Sequence, residues 1–239
     1  MSDEISPLQF HMSDGLGDWR VLGAPPAAYA VFRTGSFAAG ARLVDAIAEL
    51  ADAANHHPDV DVRYAAVTVR LSSHDIGGLS HRDVELARSI SAAALELETP
   101  ADPTAPLHLH LAIDALVGSD VEPFWRAVLG YEEAAQAPED DAAPSVDDPL
   151  GRMPGVWFQQ MDAPRPERNR IHVDVWVPHD VAEKRVADAV AAGGHLVNDR
   201  WAPAWWVVAD AEGNEACVCT WQEPAVGWKA WQEARTGSR

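Results

Sequence analysis

The chain has 239 residues, 47% hydrophobic and 23% charged, enough for one large globular domain or two of ordinary size. A formal net charge of -19 and a pI near 4.7 repel phosphate, so neither nucleic acid nor an anionic membrane is expected as a partner. The start MSDEISPLQF has no basic segment leading into an apolar one, and no apolar run approaches the roughly 20 residues of a membrane span. A cytoplasmic protein without a signal peptide is the expectation.

In chain order, AAYAVFRT reads as a strand. SFAAGARLVDAIAELADAAN reads as a helix, with Leu43, Ile47, Leu50 and Ala54 on one apolar stripe. Asp45, Glu49 and Asp52 make an acidic stripe running towards His56. VRYAAVTVRL is β-branched enough for one or two strands. GGLSHRDVELARSISAAALEL reads as a second helix, with a turn at Gly77 and Gly78 and the S-x-x-D cap pattern at Ser80 and Asp83. In ETPADPTAPL three prolines stop that helix and form a semi-extended connector. The expected organisation is therefore a first domain over 1–98, a linker over 99–106, a second domain over 107–222 and a tail over 223–239. Helices that follow antiparallel-type strand pairs point to an α+β class, with an N-terminal antiparallel sheet carrying its helices on one face.

The second domain repeats itself faintly. LHLHLAID, the helix VEPFWRAVLG and later strands are echoed by RIHVDVWV, the helix VAEKRVADAVAAGG, and then HLVND, AWWVVAD and EACVCTW. Between the halves, APEDDAAPSVDDPLGRMPG is acidic, rich in proline and without periodicity, and reads as an exposed loop. Cys217 and Cys219 lie two apart on one strand, poorly placed for an unstrained disulfide, and are expected as reduced thiols. Six tryptophans (Trp201, Trp205, Trp206, Trp221, Trp228 and Trp231) cluster near the end, as core or interface packing or as stacking surface for a flat aromatic ligand.

The chemistry concentrates in NHHPDVDVRYAAVTVRLSSHD. Adjacent His56 and His57 can face one pocket only at the end of an element, and Pro58 supplies that end by holding His57 extended. His74, directly after the strand pair, can return to the same edge. Imidazole suits a site that needs both an acid and a base near neutral pH. These residues fit, in order, a pattern of an acidic residue, three spacers, HHP, a strand pair and [ST]-H-[DE]-x-x-G-L-[ST]-x-x-D: Asp52, His56, His57, Pro58, Ser73, His74, Asp75, Gly78, Leu79, Ser80 and Asp83. With DWRVL and FRTGSFAAGARLVDAIAELA upstream, residues 15–97 resemble the pterin-4a-carbinolamine dehydratases. The resemblance implies dehydration of a 4a-hydroxytetrahydropterin to a quinonoid dihydropterin, with a pterin as partner, no cofactor or metal, and a homo-oligomeric state. It implies catalytic roles for His56, His57, His74 and Asp52, and a substrate-binding shell of Pro58, Ser73, Asp75 and Asp83. Donor and acceptor fall to His56 and His74 in either order; His57 holds the pterin and Asp52 orients an imidazole. Asp83 also reads simply as a helix cap. One departure is Asp52, where glutamate is commoner, which leaves its reach open.

FWRAVLGYE beside a strand, and RIHVDVWVP followed by DAEGNEACV, resemble the glyoxalase-like members of the vicinal oxygen chelate superfamily over residues 107–222. That resemblance implies paired βαβββ modules. In metal-binding relatives the ligands would map to His108 or His110, His172 and Glu215, with Gln159 and Gln160 where a fourth would lie. A metal-free binding cup and a purely structural domain are the alternatives. Two other functions stay open for the whole chain. One is a non-enzymatic pterin- or partner-binding module; the other is metal-dependent lyase or dioxygenase chemistry in the second domain, with the first serving for dimerisation.

Overall fold

The computed structural model describes residues 3–23, 25–134, 144–164 and 172–227. The chain folds as two compact units, Met1–Leu109 and His110–Arg239. Trp228, Trp231, the C-terminal tail beyond residue 227, the first part of the acidic loop and the start of the RIHVDVWV segment lie outside the described residues.

The first unit runs β1 (Glu4–Ile5), α1 (Pro7–His11), β2 (Arg20–Leu22), β3 (Ala27–Arg33), α2 (Phe37–Ala54), β4 (Asp59–Arg63), β5 (Ala66–Leu71), β6 (Leu79–Ser80) and α3 (His81–Glu96). Its main sheet is antiparallel, in the order β2-β3-β5-β4, and β1 pairs with β6. VRYAAVTVRL is thus a hairpin of two strands. Alternation along β3 and β5 sends Ala28, Ala30, Phe32, Val67, Val69 and Leu71 to one face, where they pack with residues of α2 and α3. Each large aliphatic side chain buried there contributes about 1.5–3 kcal/mol of transfer free energy.

Helix α2 starts at Ser36, whose hydroxyl accepts from the Ala39 amide, and stops at Asn55 in the left-handed conformation. It buries Gly40, Leu43, Ile47 and Ala51. Leu50 is only half-buried and Ala54 is exposed, so the predicted stripe fails at its end. Ala54 is the last residue of the helix and has run past the core.

The proline-rich stretch is fastened to the first unit. Pro100 accepts from the Arg33 amide at 2.8 Å, Asp102 donates its amide to the Val31 carbonyl at 2.7 Å, and Arg33 Nη2 meets the Asp102 carboxylate at 2.7 Å. Further along, His108 Nδ1 lies 3.2 Å from the Tyr29 hydroxyl.

The second unit runs β7 (His110–Ala115), α4 (Gly118–Leu129), β8 (Glu132–Glu133), β9 (Ser145–Asp147), β10 (Gly155–Gln160), β11 (Val173–Trp176), α5 (Ala182–Ala191), β12 (His195–Asn198), β13 (Trp205–Ala209) and β14 (Glu215–Cys219). Its two sheets have the same plan, β7-β10-β9-β8 and β11-β14-β13-β12. In each, the outer strand pairs parallel with the last strand of its module, and the other pairs are antiparallel. The faint repeat in the sequence is therefore a pair of βαβββ modules, and the fold as a whole is α+β. Phe124 and Trp125 of α4 and Val186 of α5 share one core with Trp206, Val208, Ala216 and Val218.

The predicted acidic loop contains a strand, β9. Three residues are too short to show an alternation; β9 is held by pairing with β10 on one side and β8 on the other, and a turn follows it. Asp148 accepts from the amides of Leu150, Arg152 and Met153 and from the Arg152 guanidinium. Those bonds, the Arg152 side chain foremost, hold its carboxyl down to about 2. Because the folded value is depressed, its stabilisation is complete above the ordinary carboxylate range and is lost as pH falls through the folded value. We expect this turn to weaken between about pH 4 and pH 2, by up to about 2 kcal/mol. Amide exchange at residues 150–153 reads it out, and Asp148→Asn should remove the acid dependence.

Candidate functional site

His56, Ser73, Ser80 and Asp83 come together where α2, the β5–β6 turn and the first turn of α3 meet. Asn55 turns the chain out of α2, and the His56 amide still bonds back to Ala51 at 3.1 Å. This places the His56 ring inside, 6% exposed, with Nε2 donating to Asp83 Oδ1 at 2.7 Å. Asp83 is fully buried, and its second oxygen is also engaged. Oδ2 accepts from the Ser80 amide at 2.7 Å, the Ser73 hydroxyl at 2.9 Å and the Ser80 hydroxyl at 3.2 Å. The two serine hydroxyls are themselves 2.7 Å apart. Asp83 is thus at once the capping residue of α3 and the partner of a buried imidazole; the two readings of it in the sequence are one structure.

Ser73 opens a turn closed by its amide on the Gly78 carbonyl at 2.7 Å, with Gly77 at φ 62°, where only glycine is unstrained. His74 and Asp75 sit in this turn, both exposed. The Asp75 carboxylate accepts two bonds from Arg82 Nη2, at 2.7 and 2.9 Å, and these hold its pKa below the usual range. His74 is the immediate neighbour of Ser73, which bonds the same carboxylate as His56.

His57 takes a separate partner. Its Nε2 lies 3.0 Å from Asp52 Oδ1, with both side chains largely exposed. The shorter aspartate does reach an imidazole, and it is that of His57, one turn beyond it at the end of α2. Pro58 is half-buried at the start of the hairpin. Beside His56 lies an open hollow of about 340 Å³, bordered by Leu50, Ala54, Arg82, Glu85 and Ser89 among others. Arg82 is the residue that sequence reasoning passed over. It bridges Asp75 and Asp3, and its only signal was its place inside the capping tetrapeptide SHRD.

In the second unit, strand alternation sends Val173, Ala216, Val218, Trp206 and Val208 to the core. The opposite face of that sheet carries His172, Asp174 and Trp176 along one line, and Glu215, Cys217 and Cys219 along the next. Among the described residues, the histidines and Glu215 implied by resemblance do not form one metal-binding group. His108 packs with Tyr29 in the first unit, and Gln160 donates its amide to the Leu116 and Met161 carbonyls. His172 gathers instead with Asp174 and Cys217, the three ligand atoms all within 4.8 Å of one another; among the described residues neither His110 nor Glu215 joins such a group with it. Both cysteines are free and buried, and burial together with the Asp174 carboxylate pushes their thiols up to about 12 for Cys217 and about 11 for Cys219. Of the tryptophans, Trp206 enters the core, Trp201 and Trp205 stack at 5.8 Å, and Trp221 stands exposed with its indole N–H towards His179.

Among the described residues, no helix is long and apolar enough to cross a membrane. Residues 5–93 match the Pterin 4 alpha carbinolamine dehydratase family, and residues 110–219 match the Glyoxalase-like domain family. A protein of Nocardia farcinica named "Putative pterin-4-alpha-carbinolamine dehydratase" is 52% identical over 59 residues, 25% of this chain and 62% of that protein. One of the same name from Cyanothece sp. is 37% identical over 92 residues, 38% of this chain and 93% of that protein. The chain therefore spans about three-fifths of the first relative and nearly all of the second. Two solved structures are each similar to part of the chain. A transcriptional coactivator/pterin dehydratase from Brucella melitensis has 26% identity and a TM-score of 0.32, over 33% of this chain and 83% of that one. A glyoxalase/bleomycin resistance protein/dioxygenase family enzyme from Burkholderia phytofirmans has 17% identity and a TM-score of 0.39, over 46% of this chain and 95% of that one. Through its first unit, whose match runs the length of the Cyanothece relative, the chain belongs to the pterin-4a-carbinolamine dehydratase family, and it carries a glyoxalase-like domain after it.

Proposed function

We propose that the first unit dehydrates a 4a-hydroxytetrahydropterin to the quinonoid dihydropterin. The observation that carries this reading is the buried 2.7 Å couple of His56 and Asp83, set beside an open hollow and tied through Ser73 to the turn that bears His74. The reaction breaks the bond from the ring-junction carbon to its hydroxyl, which leaves as water after taking a proton. The neighbouring ring nitrogen loses its proton, and the pair left behind closes the carbon–nitrogen double bond. One group must donate and one accept, each within hydrogen-bond reach of the ring. His56 and His74 take these roles, in either order. His57, oriented by Asp52, holds the pterin, with Pro58, Ser73 and Asp75 around it. Asp83 acts through His56, fixing the ring's orientation with a carboxylate that has no exposed surface of its own.

The test is turnover by the full chain on 4a-hydroxytetrahydropterin generated in the cuvette by a hydroxylation reaction. Quinonoid dihydropterin should appear well above the spontaneous rate, in proportion to protein added. A rate equal to the uncatalysed one would sink the reading.

A further inference from the structure

We propose that the open face of the β11-β14-β13-β12 sheet binds a borderline-soft divalent cation of the zinc type through His172, Asp174 and Cys217. This site is in the second unit and is independent of the dehydratase reading. It rests on where the backbone ladders place three different donor atoms. His172 lies just before β11, and its Nε2 stands 3.2 Å from Asp174 Oδ1 two residues on; the parallel register sets Asp174 directly opposite Cys217 on β14. Cys217 is locked on its other side by pairing with Val207 of β13, so the thiol is held by strands on both flanks.

The distances suit one small cation. A tetrahedral zinc, with bonds of about 2.0–2.1 Å to nitrogen or oxygen and about 2.3 Å to sulfur, separates neighbouring ligand atoms by roughly 3.3–3.6 Å. His172 Nε2 and Asp174 Oδ1 already stand 3.2 Å apart, and all three ligand atoms lie within 4.8 Å of each other. Closing on the ion thus needs side-chain rotation of about 1 Å, with no movement of the sheet. The donor set of one imidazole, one carboxylate and one thiolate selects zinc, cobalt or cadmium over magnesium or calcium, which take oxygen alone. It also departs from a two-histidine, one-carboxylate set suited to iron(II). His172 and Asp174 are about half exposed, so an ion enters from solvent, while Cys217 anchors it from beneath at 8% exposure. On binding, the thiol proton passes to solvent and the sulfur ligates as thiolate. The fourth position stays with water or an exogenous ligand.

A cobalt(II) titration of the full chain, prepared without a histidine tag and stripped with chelator, tests the assignment. One equivalent should produce a near-ultraviolet thiolate-to-cobalt charge-transfer band and strong visible bands of tetrahedral cobalt, both displaced by zinc. Cys217→Ser should abolish the charge-transfer band. His172→Ala and Asp174→Asn, both on exposed side chains, should weaken binding by more than the roughly 10–100-fold that loss of an outer-shell partner costs. His110→Ala and Glu215→Gln should leave the spectrum unchanged. Absence of the charge-transfer band in the parent chain would overturn the proposal. So would wild-type binding by Cys217→Ser, or loss of the charge-transfer band in His110→Ala or Glu215→Gln. Without an ion the trio is an exposed ion pair beside a buried thiol, an arrangement worth little to stability.

Discussion

Asp83→Ala is expected to destabilise the first unit by about 3–5 kcal/mol, because it strips the partner from a buried imidazole and the acceptor from three other buried donors. The carboxylate serves His56 Nε2, the Ser73 and Ser80 hydroxyls and the Ser80 amide, and no water-facing surface is left through which those groups could be satisfied instead. The loss should fall first on the start of α3 and on the turn that Ser73 closes. Amide exchange resolved along residues 73–90 measures it without interference from the second unit. Asp83→Asn keeps an oxygen acceptor in place and should cost much less stability, but it removes the carboxylate that orients His56, so turnover should still fall. A stability change below about 1 kcal/mol for the alanine variant would show that the cluster is not organised by this carboxylate.

The second large effect is on turnover. His56→Ala and His74→Ala should each lower the dehydration rate by about 10²–10⁴-fold, the usual worth of a positioned proton donor or acceptor. Their stabilities should diverge. His74 is exposed, and its removal should shift stability by no more than about 0.5 kcal/mol, whereas loss of buried His56 leaves Asp83 Oδ1 without its donor and should cost about 1–3 kcal/mol. The double variant should be little slower than the worse single one, since a donor without its acceptor already fails to turn over. Undiminished turnover in both single variants would remove the two histidines from the reaction.

Much of this was legible in the residues themselves. The helix over Phe37–Ala54 showed in its apolar spacing, and Ser80 with Asp83 announced the cap of α3, because capping is local chemistry between residues three apart. The repeat of strand–helix–strands announced the two sheets with their shared strand order. The strand β9 did not show, since three residues carry no period and what makes them a strand is pairing with β8 and β10, which are set by the fold. Arg82 did not stand out either, because its two carboxylate partners are distant in sequence or hidden in a turn.

The sequence alone determined the longer helices and strands and the dehydratase pattern, because periodicity, caps and motif spacing are written within a few residues of one another. Partner choice was decided by the tertiary structure. Only the fold shows that Asp52 goes to His57, that His56 goes inward to Asp83, and that His172 meets Asp174 and Cys217 in place of His110 and Glu215. Each of these depends on which way a side chain points at the end of an element or across a strand register. A shift of one residue there reverses the face. Spacing along the chain can bring such groups to the same neighbourhood, and packing then selects which two touch.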